Sequence, residues 1–368
     1  MIQRLIFSES SANLGGQERQ LLLQMSALRE RGIEVRLLCR QASRVGEIAR
    51  ERAIETIAVP FRNSLHLPSI AAVARELRAW QPDAVISHSG HDANTCAFAA
   101  RLVTDRPRLI RVRTYQAGAP RAWTYNHLAD VTLVCSEALR RSLLANRRIR
   151  AERILVLYPG VDFDRLREQS LLALPHPMQA RLTALTGRRL VHAAMLRPEK
   201  GHLQMLEVLA ALGQKLPDLT YVVAGDGPMR GAIEARAAEL GVQDRVLLLG
   251  MVDNVPALLR QADIVVMPSS YEPLGLSQVE ALALGVPVVA SRTGGIPETL
   301  EHRRTGLLVA PGDASAWITA LAWALDHPGE MLAMAESGGA FVRSRFSVTA
   351  NIDRLLGFVA PASPTIVS

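Results

Sequence analysis

Short, mostly apolar runs recur along this chain, and each is followed by a longer stretch of helical spacing. Ile2–Phe7 precedes the helical stretch Gln17–Arg31, and Glu34–Cys39, Ala84–Ser87, Leu109–Arg113 and Val131–Cys135 read as further strands. A second series starts at Leu190–Met195, with a helix from about Gly201 to Lys215. It continues through Thr220–Ala224, a helix from Met229 to Leu240, then Val246–Leu249, Ile264–Met267 and Val286–Ala290. Strand-then-helix alternation predicts parallel sheets covered by helices. Ile264–Met267 and Val286–Ala290 are nearly all apolar, as strands buried on both faces must be. The series breaks at Tyr158–Pro177, where Pro159, Gly160, Pro175 and Pro177 predict an interdomain linker. The fold class is therefore α/β, with two tandem Rossmann-like doubly wound domains, 1–170 and 171–368. Asp313–Val359 reads as helical, and its last helix is able to pack back on the first domain. In such sheets ligands bind at the carboxyl ends of the strands, here expected in the cleft between the domains.

Length and composition agree. The 368 residues are enough for two domains, each with its own core. With 49% apolar and 21% charged residues the chain is neither disordered nor fibrous. No run approaches the ~20 apolar residues that a membrane span needs. Met1–Phe7 runs into Ser8, Glu9 and Ser10, so it reads as a first strand and not as a signal peptide. Cys39, Cys96 and Cys135 lie far apart without pairing or metal-ligand spacing, which suits thiols in the cytosol. The net charge of +7 is unevenly placed: 26 Arg+Lys against 17 Asp+Glu in residues 1–170, and 16 against 18 in residues 171–368. A first half at +9 beside a second at −2 predicts different partners for the two domains.

Four loops carry the chemistry. The densest is Glu272-Pro273-Leu274-Gly275-Leu276, which follows the strand run Val265–Pro268 and opens into a helix from Ser277 to Leu284, with Gly285 and Pro287 beyond. Gly275 lets a ligand approach the backbone, and the N–H groups of Leu276 and Ser277 favour an anion such as a diphosphate. Glu272 on the loop and Glu280 on the helix suit sugar and ribose hydroxyls, because each carboxylate accepts several hydrogen bonds. The bland alternative, two surface glutamates, explains neither the Pro nor the Gly beside Glu272. The second loop is Arg197-Pro198-Glu199-Lys200-Gly201. Arg197 offers a bidentate fork to phosphate oxygens and Lys200 a point charge. Lys200 is one of only two lysines among 42 basic residues, so arginine has not replaced it here. A helix-start salt bridge would explain Arg197 alone but less readily the pair. The third and fourth, Gly225-Asp226-Gly227-Pro228 and Gly15-Gly16-Gln17-Glu18, are each equally readable as plain turns.

In this order the motifs resemble the retaining nucleotide-sugar glycosyltransferases of family 4, group 1 type, which have the GT-B fold. The resemblance covers nearly the whole chain and is strongest over 190–310. Glu272 and Glu280 match the family's Glu-x7-Glu motif, and Gly294-Gly295-Ile296-Pro297-Glu298 follows at the usual place. The resemblance implies that Arg197 and Lys200 hold the donor diphosphate and neutralise it as it leaves. Glu272 and the Leu274–Leu276 backbone, Gly275 included, then hold the donor sugar, and Glu280 binds the ribose. Backbone around Met251 and Val252 meets the base, near the Gly225–Pro228 turn, and Gly15 and Gly16 approach the donor from the first domain. It implies no metal, in keeping with a sequence without an Asp-x-Asp cluster, and no cofactor, the nucleotide-sugar being a substrate.

One position departs from the family. Many relatives carry a histidine at the end of the fifth strand, where this chain reads Leu109-Ile110-Arg111-Val112-Arg113-Thr114-Tyr115. Arg113, Thr114 or Tyr115 must fill that space, and His88 and His91, after the preceding strand, are candidates for acceptor contacts. The expected activity is transfer of a hexose-type sugar from a UDP- or GDP-sugar to a hydroxyl of an envelope glycan or glycolipid, such as lipopolysaccharide core or lipid-linked oligosaccharide. A nucleotide-sugar 2-epimerase on the same fold and a non-catalytic sugar-nucleotide-binding subunit are the alternatives. No nucleic acid is expected as a partner. Ser136–Arg153, with Arg140, Arg141, Arg147 and Arg148 and with Leu139, Leu143 and Leu144 at helical spacing, predicts a helix that lies on an anionic membrane. That would place a cytoplasmic protein on the inner face of the membrane. The competing expectation is that Leu139 and Leu143 pack on the domain's own sheet.

Overall fold

The computed structural model describes residues 2–115, 118–213 and 215–360. They form two compact units. One runs to Gly160 and takes up the chain again at Val348; the other is Val161–Ser347.

The first unit is built on a seven-stranded parallel sheet: β1 (Arg4–Glu9), β2 (Glu34–Cys39), β3 (Glu55–Ala58), β4 (Ala84–Ser87), β5 (Arg108–Arg113), β6 (Val131–Val134) and β7 (Ile154–Val156). Their order is β3-β2-β1-β4-β5-β6-β7. Leu5 of β1 lies opposite Val35 on one side and Ala84 on the other. Leu5 and Phe7 face one apolar core and Ile6 the other. The two-residue period of a strand buried on both faces leaves no place for a polar side chain in that stretch. Helix Gly16–Glu30 places Leu21, Met25 and Leu28 on a single buried stripe against this sheet.

The second unit repeats the plan with six parallel strands: β8 (Arg189–Ala193), β9 (Thr220–Ala224), β10 (Val246–Gly250), β11 (Ile264–Met267), β12 (Val288–Ser291) and β13 (Leu307–Val309), in the order β10-β9-β8-β11-β12-β13. In each sheet the winding direction reverses at one place, between β1 and β4 and between β8 and β11. Loops leaving the carboxyl ends of those strands diverge there and leave a crevice for a ligand.

The structure corrects three expectations. The crossover lies at Gly160/Val161 and not at 170/171. The stretch expected as a linker is largely helical, because Asp162 caps helix Phe163–Ser170 by accepting the Arg165 N–H (3.0 Å), and Pro175 and Pro177 start helix His176–Thr183. Phe163 and Leu166 bury that first helix in the second unit. At the return crossing, helix Val348–Val359 buries Ile352, Leu355 and Val359 in the core of the first unit, and Gln24 donates to Asn351 (2.9 Å). Lastly, the basic helix is the short Glu137–Leu144, and it buries Leu139 and Leu143 in its own unit. Those leucines are therefore unavailable to a membrane. Arg140 and Arg153 donate to the carbonyls of Ile154 and Ala129, while Arg141, Arg147 and Arg148 stay exposed. Among the described residues no helix is long and apolar enough to cross a membrane.

Candidate active site

Three of the four loops singled out by sequence, Arg197–Gly201, Gly225–Pro228 and Glu272–Leu276, converge at the β8/β11 reversal of the second unit. β8 runs into the turn Met195–Gly201, whose last residues form a single 3-10 turn, Pro198–Lys200. Gly201 has φ +75°, and a Cβ there would overlap the carbonyl of Pro268, just past β11. Only glycine allows the two loops to touch at this point. Ser270 then donates from its backbone N–H to the Glu199 carbonyl (2.8 Å). The Lys200 Nζ consequently reaches the Glu272 carboxylate and forms an ion pair, with side chains 19% and 11% exposed. Arg197, two residues past the Met195 carbonyl that accepts its N–H (2.9 Å), is exposed. Its guanidinium makes no hydrogen bond or ion pair among the described residues.

Glu272 is fixed by backbone as well. Gly294, at φ +52°, lies so close that a Cβ would overlap the Glu272 carbonyl oxygen, and the Gly295 N–H donates to that oxygen (3.0 Å). Gly275 has φ +84° beside the buried Gln278, whose amide donates to the Leu274 carbonyl (2.8 Å) and to Thr299 (3.1 Å). Ser277 opens helix Ser277–Ala283 and donates from Oγ to the Ala193 carbonyl at the end of β8 (2.9 Å). Leu274 is buried and Glu280, on the same helix, is half-buried. The Gly225–Gly227 turn backs the Arg197 loop: Leu196 N–H donates to the Asp226 carbonyl (3.1 Å), and Gly225 N–H to the Gly250 carbonyl (2.8 Å). A Cβ at Gly225, with φ +145°, would overlap the Ala194 carbonyl. These glycines, which read as a plain turn, are needed for that close approach. Met251, exposed, and Val252, buried, follow directly.

At the β1/β4 reversal of the first unit, Gly15 caps helix Gly16–Glu30 and donates its N–H to Glu18 (2.7 Å). A Cβ at Gly16 would meet nothing within 4 Å, so that backbone faces open space. Gln17 donates to Glu9 at the end of β1 (2.8 Å) and accepts from Thr114 Oγ1 (2.9 Å), which ties the glycine loop to the end of β5. Arg113 is half-buried there and Tyr115 exposed. The two histidines are separated. His91 is exposed, with Nδ1 3.3 Å from Ser64 Oγ. His88 is 2% exposed and stacks on Phe7, and burial lowers it to about 4, so it is neutral and enclosed. This removes His88 as an acceptor contact.

Sequence reading missed the polar cluster under this loop. Asp92 is fully buried and accepts from Ser8 Oγ (2.7 Å) and Ser10 Oγ (3.3 Å). Burial, and then the nearby Glu9 charge, push Asp92 up to about 7. A carboxyl held above its unfolded value keeps its proton longer in the folded state, so stability falls as pH rises from about 4 to about 7. Asp92→Asn should flatten that slope by about 1 kcal/mol or more. Urea unfolding of both proteins at pH 5 and pH 7.5 checks this, and an unchanged slope would mean that Asp92 titrates normally. Among the described residues no group of three His, Cys, Asp or Glu is placed to hold a metal ion.

Residues 14–165 match the family Glycosyltransferase Family 4, and residues 179–340 match Glycosyl transferases group 1. A 2-deoxystreptamine glucosyltransferase of Streptomyces kanamyceticus is 30% identical over 245 residues, 64% of this chain and 63% of that protein. A D-inositol 3-phosphate glycosyltransferase of Corynebacterium glutamicum (strain R) is 34% identical over 223 residues, 56% of this chain and 52% of that protein. The chain thus spans just over half to 63% of the length of these curated relatives. The Anabaena protein HepE, crystallised in complex with UDP, has the same fold, with a TM-score of 0.83 at 21% identity over 97% of this chain and 99% of that one. With both halves matched in order and both sheets wound as in that fold, the chain belongs to the family 4, group 1 glycosyltransferases.

Proposed function

We propose that this chain is a retaining, metal-independent glycosyltransferase that moves a hexose from a UDP- or GDP-sugar to a hydroxyl of an envelope glycan or glycolipid. The observation that carries this reading is the Lys200–Glu272 ion pair beside the exposed Arg197, at the β8/β11 reversal. In the transfer, the bond from sugar C1 to the diphosphate oxygen breaks, a bond from the acceptor oxygen to C1 forms on the same face, and the acceptor's hydroxyl proton passes to the departing diphosphate oxygen. The leaving diphosphate gains charge, which Arg197 and Lys200 neutralise. Glu272 and the Leu274–Leu276 backbone orient the sugar, Glu280 accepts from the ribose hydroxyls, and backbone at Met251 and Val252 meets the base. Gly15 and Gly16 offer bare backbone to the ligand. The UDP held by HepE favours a uridine nucleotide. The +9 of residues 1–170 suits an acceptor bearing phosphate, such as lipopolysaccharide core or a lipid-linked oligosaccharide, met by a cytoplasmic protein at the inner membrane face. Any membrane attraction is electrostatic, through arginines such as Arg141, Arg147 and Arg148.

Incubation with UDP- and GDP-hexoses, with and without acceptor, tests the reading. Product with retained anomeric configuration supports it. An epimerised nucleotide-sugar would make the chain an isomerase, and binding without turnover a partner subunit. Running the assay with acceptor in anionic vesicles at low and high salt tests the membrane arm, since salt screens such attraction.

We assign the place of the family's histidine to Arg113 and Tyr115. Tyr115→Phe and Arg113→Met should each lower turnover about tenfold, less than the loss of a proton-transferring group would cost, with unchanged thermal unfolding. If both variants keep full turnover, this strand end is structural only.

A further inference from the structure

Beneath the Arg197–Lys200 turn lies a buried cluster that the site described above does not use. His192 on β8, Tyr221 on β9 and His202 at the start of helix His202–Leu212 are all buried. His192 Nδ1 is 2.7 Å from Tyr221 Oη, and His202 Nδ1 is 3.1 Å from the same oxygen. His202 Nε2 is 3.1 Å from the Met195 carbonyl oxygen. The two imidazoles lie 4.3 Å apart, centroid to centroid.

The donors and acceptors allow one arrangement when both rings are neutral. A carbonyl only accepts, so His202 Nε2 carries a proton and its Nδ1 is bare. The bare Nδ1 must accept the single Tyr221 proton. Tyr221 Oη then accepts from His192, so the His192 proton is on Nδ1 and its Nε2 is bare. That Nε2 is indeed buried without a partner among the described residues. Burial is also the main force keeping His192 and His202 neutral and Tyr221 protonated.

We propose that His192, Tyr221 and His202 form a one-directional hydrogen-bond relay that positions the donor-phosphate loop by holding the Met195 carbonyl. The same carbonyl accepts the Arg197 N–H, so the relay sets the backbone from which Arg197 projects. The Arg197–Lys200 turn continues into Gly201 and His202 itself, which anchors both ends of the loop to one buried point. These are positioning residues and touch no substrate. Their assignment to a donor-phosphate loop rests on the proposed transferase reading; the relay itself does not.

Two measurements test it separately. Nitrogen-15 NMR of histidine-labelled protein reads the tautomers without any assay. The expected result is opposite neutral tautomers, Nδ1–H for His192 and Nε2–H for His202. The same tautomer in both, or a charged ring at neutral pH, would overturn the relay whatever the protein does. The second measurement uses UDP binding and donor kinetics. Tyr221→Phe and His202→Leu should raise the UDP Kd and the donor KM about tenfold and leave the acceptor KM unchanged. His202→Gln, whose amide can still donate to the Met195 carbonyl, should recover most of the loss. Wild-type UDP affinity in both Tyr221→Phe and His202→Leu would overturn the positioning role. If wild-type protein binds neither UDP nor GDP, the transferase reading fails and the NMR result still stands on its own.

Discussion

Lys200→Ala should lower kcat/KM for the donor by about two to three orders of magnitude, and Arg197→Ala by a similar factor. Losing one preorganised charge at a leaving group costs about 2–5 kcal/mol of transition-state stabilisation. The two variants differ in what else they disturb. Arg197 is exposed, so its removal should leave unfolding unchanged. Lys200 is the ion-pair partner of a carboxylate that is 8% exposed as a residue. Removing it strands that charge, at a stability cost on the order of 1–3 kcal/mol. A Lys200→Met/Glu272→Gln cycle separates the effects, because removing both partners should restore stability without restoring turnover. Near-wild-type kcat/KM in both single variants would remove the diphosphate clamp from the mechanism.

The residues of the proposed clamp stand out in the sequence because their chemistry is local: two cations on one strand-to-helix turn, and a glutamate between tyrosine and proline. Its closure was not. Lys200 and Glu272 meet only because β8 and β11 are neighbours in the sheet, and their neighbourhood follows from topology. The relay is further from view. His192, His202 and Tyr221 sit in three separate elements, and nothing in their spacing brings them together. Asp92 was passed over for the same reason, since its serine partners Ser8 and Ser10 come from β1 and the loop beyond it.

Strands followed the same logic. Central ones such as Ile264–Met267 are apolar on both faces and declare themselves. Those missed were edges: β3 is Glu-Thr-Ile-Ala with both ends exposed, and β7 and β13 have three residues each. The linker was misread because proline marks helix starts as well as loops, and Pro175 and Pro177 do the former. The leucines of Glu137–Leu144 had the spacing of a membrane-facing stripe, but a stripe of that spacing also fits a sheet, and here the sheet takes it.

Glu272 and Glu280, eight residues apart, should fail in different ways. Glu272 is held by Lys200 and by the Gly294–Gly295 backbone, so its carboxylate has little freedom to follow a ligand. A rigid acceptor suits a sugar that changes shape during reaction, because it binds the transition state better than the ground state. Glu272→Ala should therefore lower kcat about a hundredfold, with a smaller change in donor KM. Glu272→Gln, which keeps the shape but not the charge, should recover only part of it. Glu280 lies on helix Ser277–Ala283, where its proposed ribose contact is the same before and during reaction. Uniform binding of that kind appears in KM, so Glu280→Ala should raise the donor KM about tenfold and hold kcat within about threefold. Initial rates over a donor concentration series, at saturating acceptor, give both parameters for each variant. A kcat defect at Glu280 with a KM defect at Glu272 would mean that the sugar and the ribose lie the other way round in the site.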